Sequence, residues 1–547
     1  MVSRKLKLIL TFALLLLLSK SFSQEQRITI TCQDTVMGKN LLTGEDIPGR
    51  KMIFSQHITT MLDLDYSGNI LLTLHGLNKL NQTKSKGILA LYEPGKSHII
   101  WKRPYKTDKN RMMPFPGILF FEDKYEFYKI DYLTGANQWK LKYVPYFIDN
   151  FYHIGLGYRL DKYGGRAHNM EAFDLDKGTT VWTRKIDKST GWNDAFYLND
   201  SLLMIIASGL HTVDISNGKG WDYALMTGKD YASSSEIAGA IVGGIIGGLI
   251  GGAIAGAITR TSINMATGLQ SGLYAGLSVI GRPYNDPLYW NLGSNLLLKE
   301  NLYFASTNTV CCLDKNNGDL IWSSELPRKK ASKSSLFLAD NILYMVNYGC
   351  GLIGNELRKY GTPFFSAFNA DNGEMLFFSP IKSKTDYILD YRIEENTIIL
   401  LLRNSIQRYD LSSGELLLSV EINGYNLRFF TDDLHYLRTP DNSFVKVIDS
   451  DPLRYFIFTD KNDIVVCNDQ FKVEKLINLF QLYSCRQETE RYRFIVRNNQ
   501  TFILDSDNRK IAEIPASGNA ILIGNKLYDF GNNILFETDL TKLFEGE

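Results

Sequence analysis

Few residues in this 547-residue chain are of a type and spacing that could do chemistry. Cys311 and Cys312 are adjacent inside the apolar stretch "TNTVCCLD". Successive side chains of a strand point to opposite faces, so the pair reads as two small packing residues. The stretch "DKNNGD" at 314–319 offers carboxylates and amides in the manner of a calcium loop. Its glycine falls one position early and no Glu follows at the required distance, so it reads as a turn. The seven histidines, at 57, 75, 98, 153, 168, 211 and 435, show no metal-ligand spacing. No Gly-x-Ser-x-Gly, no P-loop and no Cys-x-x-Cys occurs. These patterns lead us to expect no catalytic residue, no metal ligand and no cofactor. A site assembled from loops far apart in sequence would leave no such motif.

The spacing that does recur is Asp or Asn, three residues, Gly, three residues, then a large apolar side chain. It occurs as Asp131/Gly135/Trp139, Asp174/Gly178/Trp182, Asp314/Gly318/Trp322, Asn369/Gly373/Phe377 and Asp410/Gly414/Leu418. Looser copies place Gly95 before Trp101, and Asp214 and Gly218 before Trp221. The carboxylate or amide can accept hydrogen bonds from the amides of a tight turn. The glycine supplies a positive φ that such a hairpin needs. The following strand then carries the Trp toward a neighbouring sheet. With the apolar strands upstream, each repeat supplies about four short strands. Repeats of ~40–50 residues with four strands are the mark of a β-propeller.

The Asp-x-x-x-Gly-x-x-x-Trp pattern resembles the tryptophan-docking repeat of pyrroloquinoline-quinone-type propellers. The resemblance covers residues 50–425 and fades over 425–547. That family holds quinoprotein dehydrogenases and many non-catalytic relatives, among them the lipoprotein propeller that helps to assemble outer-membrane β-barrels. A dehydrogenase of this kind implies a catalytic Asp, ligands for Ca²⁺ and basic residues on the quinone, and some members carry a vicinal disulfide over the cofactor. The resemblance thus implies an all-β fold of about eight four-stranded antiparallel blades, with the tryptophans as wedges between blades. "RITITC" is expected to pair with "NKLYDF" and "NILFETDL" to close the ring. Tyr105, Tyr143, Tyr146 and Tyr158 are candidates for an aromatic binding face, although most tyrosines of so Tyr-rich a propeller are expected simply to pack.

One segment does not fit the repeat. "AGAIVGGIIGGLIGGAIAGAI" at 238–258 has no polar side chain. Its glycines fall into two runs with a spacing of four: Gly239, Gly243, Gly247 and Gly251, then Gly244, Gly248, Gly252 and Gly256. On a helix, residues four apart share a face. Each glycine costs a helix ~1 kcal/mol against alanine, so the helix needs close small-x-x-x-small packing, the kind found in membranes. A second arm carries Gly268, Gly272 and Gly276. The expectation is an inserted α-helical glycine-zipper hairpin over 232–282. Three roles remain open for it: membrane insertion or self-association, a soluble hairpin packed on the propeller, or a low-complexity loop.

The chain begins with Arg4, Lys5 and Lys7, an apolar run from Leu8 to Leu18, and Ser21-Phe22-Ser23. This reads as a cleaved secretory signal over 1–23, with an uncleaved N-terminal anchor as the alternative, followed by propeller blades over 24–231 and 283–547. The net charge of +1 gives no reason to expect nucleic acid as a partner. The 30 Tyr and 30 Phe favour β-structure. The functional expectation is an exported, non-catalytic scaffold for a protein partner, in the periplasm or at the cell surface. Contact with a membrane or with other copies would run through residues 237–281. A quinoprotein oxidoreductase and a membrane-active effector are the competing readings.

Overall fold

The computed structural model describes residues 28–224 and 296–545 apart from short breaks, the longest at 161–165, 187–193, 328–333, 382–386, 439–443 and 447–453. The signal segment 1–23 and the glycine hairpin 232–282 lie outside the described residues, and so does every glycine from Gly239 to Gly276 named above. Among the described residues the only helix is Thr541–Glu545. No helix there is long and apolar enough to cross a membrane.

Every other element described is a β-strand. Eight separate four-stranded antiparallel sheets are described, over 57–106, 110–141, 143–185, 194–224, 297–325, 334–380, 390–421 and 427–478. The sheet at 390–421 shows why the sequence folds this way. Thr397–Leu401 is buried along almost its whole length, because both of its faces are covered by apolar side chains. Leu416–Glu421, the last strand, alternates between exposed and half-buried positions, because it forms an edge. The turn between the third and fourth strands is set by Asp410 and Gly414, as expected from the spacing.

The chain divides into two compact units. One comprises Met1–Asn110, Tyr132–Gly135 and Arg486–Glu547; the other comprises Arg111–Asp131 and Ala136–Cys485. In the first unit both ends of the described chain share one sheet. Its strands pair in the order Arg493–Arg497, Gln500–Leu504, Lys510–Ile514, Ile30–Asn40, Asp46–Phe54, Ile534–Asp539, Lys526–Gly531 and Ile521–Ile523. These strands come in addition to the eight separate sheets.

The expected pairing of "RITITC" with the last strands, "NKLYDF" and "NILFETDL", needs correction. Asp46–Phe54 meets Ile534–Asp539, from Gly49 opposite Thr538 to Ile53 opposite Ile534. The first strand, Ile30–Asn40, forms a long hairpin with Asp46–Phe54 and touches Lys510–Ile514 only through Lys39 and Asn40. The reason is packing. Ile30–Asn40 is mostly exposed, whereas Asp46–Phe54 buries Ile47, Met52 and Phe54. Gly49 lets the strands approach closely, since a Cβ there would lie 2.2 Å from the Glu537 carbonyl oxygen.

In the second unit each interior is shared between sheets. Phe147, Leu156, Trp182, Leu203 and Val213 form one such core, and Tyr303, Cys312, Trp322, Leu343 and Phe368 another. Of the four tyrosines proposed for a binding face, Tyr143 and Tyr158 are fully buried. Their hydroxyls donate to the Glu171 and Ile186 carbonyls, so they belong to the core.

Candidate functional site

The recurring residues build one local device, repeated along the chain. Asp174 Oδ1 accepts the amides of Asp176 and Lys177 at 2.8 and 2.9 Å, and the Gly178 amide donates to the Asp174 carbonyl at 2.8 Å. The same bonds recur at Asp214, Asn369 and Asp410. The glycines take φ values of +70° at Gly135, +68° at Gly178, +76° at Gly218, +78° at Gly318, +75° at Gly373 and +69° at Gly414.

Each turn also receives a wedge from the preceding repeat. The Trp101 indole N–H donates to the Tyr132 carbonyl, Trp139 to Leu175, Trp182 to Ile215, Trp221 to Lys315 and Trp322 to Ala370, at 2.6, 2.8, 2.8, 3.0 and 2.9 Å. In every case the acceptor is the residue after the turn's Asp or Asn. The ring then lies on the turn's glycine. A Cβ at Gly318 would sit 2.5 Å from Trp221, and one at Gly373 would sit 2.4 Å from Trp322. At Gly414 the same place is taken by Phe377.

Two parts of the device escaped the sequence reading. At four of the six turns the residue two after the wedge holds the next turn's glycine carbonyl; Leu141 and Tyr223 stand at that place after Trp139 and Trp221. Arg103 donates to Gly135 at 3.0 Å, Arg184 to Gly218 at 3.1 Å and Ser379 to Gly414 at 2.6 Å; Ser324 does the same at Gly373. The signal was present, since these are polar side chains at a fixed offset. The second part is a register shift in the outer strand just before the wedge. Ala172 pairs with Trp182 and Phe173 with Thr180, which leaves Val181 as the bulged residue. Ile100, Ile321, Leu376 and Leu417 are bulged in the same way. The bulge turns the wedge inward while its predecessor faces solvent.

The electrostatics of the turns follow from these bonds. The Ser412 hydroxyl at 2.5 Å, the Ser413 amide at 2.8 Å and the Ser413 hydroxyl at 3.1 Å hold the Asp410 carboxyl below the ordinary aspartate range, against a small effect of burial. A depressed carboxyl stabilises the fold above its unfolded value, and that contribution is lost as pH falls through its folded value. Asp410→Asn keeps the turn's amide bonds, as Asn369 does, and is therefore expected to cost only about 0.5 kcal/mol at pH 7 and to remove part of the acid sensitivity below the ordinary aspartate value. Urea unfolding at pH 7 and in acid checks this. An equal loss at both pH values would remove the carboxylate from the explanation.

Three denser polar clusters lie elsewhere. In the first unit the Glu537 carboxylate accepts from Arg50 at 2.9 Å, Lys526 at 2.9 Å and the Tyr528 hydroxyl at 3.0 Å. In the second unit Tyr455 donates to Glu394 at 2.6 Å and receives Arg408 at 3.0 Å; burial and the Glu394 carboxylate push its hydroxyl up to about 12. Asp222 receives Arg184 at 2.7 Å and lies 2.6 Å from His211 Nδ1. Each cluster joins strands through internal charge pairing. Among the described residues no group of three His, Cys, Asp or Glu side chains is placed to hold a metal.

Cys311 and Cys312 face opposite sides of their sheet. Cys312 packs with Trp322 and Phe368, and Cys311 packs with Phe304 and Met204. Both are free thiols, as are the other four cysteines. Burial pushes the Cys312 thiol up to about 11, which leaves it unreactive. "DKNNGD" is a wedge-receiving turn, with the Asp314 carboxylate accepting the Asn316 amide at 2.7 Å.

No family model matches the chain. No curated protein matches it. Among solved structures it is similar to BamB from Moraxella catarrhalis, at 10% identity over 78% of this chain and 96% of that one, with a TM-score of 0.31. It is also similar to a eukaryotic initiation factor, at 9% identity over 80% and 97% with a TM-score of 0.35, and to the computationally designed Ika8 protein, at 11% identity over 77% and 96% with a TM-score of 0.28. Likeness at this level carries no functional argument. The wedge geometry is the stronger ground.

Proposed function

We propose that this protein is an exported, non-catalytic β-propeller that serves as a scaffold for protein partners. In this reading the four-stranded sheets are its blades, and segment 232–282 holds it to a membrane or to other copies of itself. One observation carries the proposal. The recurring polar residues of the repeats are engaged inside the fold: the Asp or Asn in its turn, the Trp, where present, in the neighbouring turn, and at four turns an Arg or Ser on the glycine carbonyl. What a repeat leaves for solvent is the surface of its outer strand and its turns. Such a surface suits docking.

The competing quinoprotein reading gives the cleanest test. Purified mature protein incubated with pyrroloquinoline quinone and Ca²⁺ is expected to show no change in the quinone spectrum and no alcohol-dependent dye reduction. Cross-linking in cells is expected to join it to a defined protein. Dye reduction with turnover would overturn the scaffold reading. Replacing residues 232–282 with a short Gly/Ser loop is expected to release the protein from the membrane fraction with its fold intact. If both forms are soluble and monomeric, the tether is removed from the proposal.

A further inference from the structure

Three consecutive repeats share a sequence feature that the wedge does not explain. After the turn glycine they read Gly-acid-apolar-apolar-wedge: Gly318-Asp319-Leu320-Ile321-Trp322, Gly373-Glu374-Met375-Leu376-Phe377 and Gly414-Glu415-Leu416-Leu417-Leu418. The other wedge-bearing repeats read differently, as in Gly178-Thr179-Thr180-Val181-Trp182.

The structure places these aliphatics in water apart from Met375, which packs against the core. Leu320, Ile321, Leu376, Leu416 and Leu417 are between 46% and 55% exposed. Ile321, Leu376 and Leu417 are the bulged residues of their strands, so their side chains leave the register of the sheet. The three turn ends are also neighbours. Trp322 lies on Gly373 and Phe377 lies on Gly414, so the pairs at 320–321 and 375–376 each sit beside the next repeat's turn. The exposed aliphatics thus follow one another at successive turn ends of three sheets of the second unit and form a row in that sense.

The row has an acidic rim. Asp319, Asp371, Glu374 and Glu415 are all exposed at these turn ends. The turns 314–319, 369–374 and 410–415 hold six carboxylates against the single cation Lys315. The strands Leu320–Glu325, Met375–Pro380 and Leu416–Glu421 contain no Lys or Arg. Other outer strands do carry them: Lys102 and Lys106, Lys140, Lys185 and Lys475. Lysine on an edge is a common guard against unwanted association, and these three edges lack it. Contiguous exposed apolar side chains mark interaction sites.

We infer that this row is a docking surface for a segment of another protein that carries aliphatic side chains flanked by Lys or Arg. This deepens the scaffold reading above and rests on it. The aliphatics supply the buried contact, and the acidic rim selects a basic partner and speeds its arrival. The bulges interrupt the outer ladder where the aliphatics stand, so side chains make the contact rather than an added strand.

The test uses the full mature chain and a fluorescein-labelled peptide of about twelve alternating Leu and Lys residues. Controls are a Ser/Lys peptide and a Leu/Lys peptide with proline at its centre. The Leu/Lys peptide is expected to bind, the proline form about equally well, and the Ser/Lys peptide not at all. The triple variant Ile321→Ser, Leu376→Ser, Leu417→Ser is expected to weaken binding about tenfold or more, as loss of about 1.4 kcal/mol would. Asp319→Asn with Glu374→Gln and Glu415→Gln is expected to weaken it and flatten its salt dependence. Val181→Ser, in a repeat without the acid, is expected to leave it unchanged. All these side chains are exposed, and far-UV circular dichroism checks that the variants fold. Equal binding by wild type and triple variant, or equal binding of the Ser/Lys peptide, overturns the inference. Sedimentation showing self-association that the triple variant loses gives the row to a second copy and overturns it as well. A cellular partner still cross-linked to the triple variant would leave the scaffold standing and remove only this surface.

Discussion

Gly373→Ala is expected to destabilise the second unit by about 2–5 kcal/mol, whereas Gly424→Ala in the same unit is expected to cost about 1–2 kcal/mol. Both glycines have positive φ, +75° and +90°. Alanine pays the same backbone penalty at each, about 1–2 kcal/mol for a left-handed conformation. The surroundings differ. Nothing lies within 4 Å of a Cβ at Gly424. At Gly373 the new atom would meet Trp322 at 2.4 Å and Ser324 Oγ at 2.7 Å. Trp322 is buried, and its indole N–H is fixed on Ala370, so the ring has no room to retreat. Overpacking of this kind adds about 1–3 kcal/mol. Urea titration followed by tryptophan fluorescence and circular dichroism measures the difference. Similar midpoint shifts for the two variants would mean that the glycine is required for the turn alone and the wedge yields to it. A larger shift at Gly373 would establish the stacking as the second reason for glycine.

The same contrast explains what could be read from the sequence. The Asp, the Gly and the Trp fall within nine residues, and each has a local reason to be what it is. Their spacing therefore revealed the turn, the four-strand rhythm and the inward Trp. The acceptor of each Trp lies 31 to 94 residues away, so the spacing sent the Trp toward a neighbouring sheet without naming the turn that receives it. The bulge was not legible. Ile321 and Leu417 look like strand-core residues in a hydrophobicity pattern, and only the register shift turns them outward. Tyr143 and Tyr158 are among the tyrosines that simply pack. A tyrosine is read as amphipathic, yet each finds a carbonyl for its hydroxyl inside the core. The pairing of Asp46–Phe54 with Ile534–Asp539 joins the ends of the chain, and apolar strands at both ends gave no unique register.

Where the repeat is weak, the fold relies on charge instead. The sheet that joins Asp46–Phe54 to Ile534–Asp539 contains no Asp-x-x-x-Gly-x-x-x-Trp unit. It holds Glu537, only 3% exposed, between Arg50, Lys526 and Tyr528. Arg50 also donates to the Pro94 carbonyl at 3.3 Å, so the cluster links a loop to the strands. The wedge and the cluster are two solutions to the same need, which is to fix one strand against a distant neighbour. The first does so by shape and recurs. The second needs residues 487 apart in sequence and occurs once at this joint.

Glu537→Gln should therefore be costly. The variant keeps the shape but leaves Arg50 and Lys526 without their carboxylate. Removing one partner of a buried pair costs about 3–5 kcal/mol. The side chains of Arg50 and Lys526 are 27% and 38% exposed, so water recovers part of this, and about 2–4 kcal/mol is expected. The pH dependence identifies the cause. Burial alone would raise the Glu537 carboxyl, but Arg50 and Lys526 together hold it below the ordinary glutamate range. A depressed carboxyl contributes stability above its unfolded value, and that contribution disappears as pH falls through the folded value. The gap between wild type and Glu537→Gln is thus expected to be full at pH 7 and to close as pH drops below about 4. Urea unfolding of both proteins across that range measures the gap. A gap that stays constant into acid would mean that the amide disturbs packing, and the ion pairs would then contribute little to the joint. A gap that closes would show that the two ends of the chain are held together by charge.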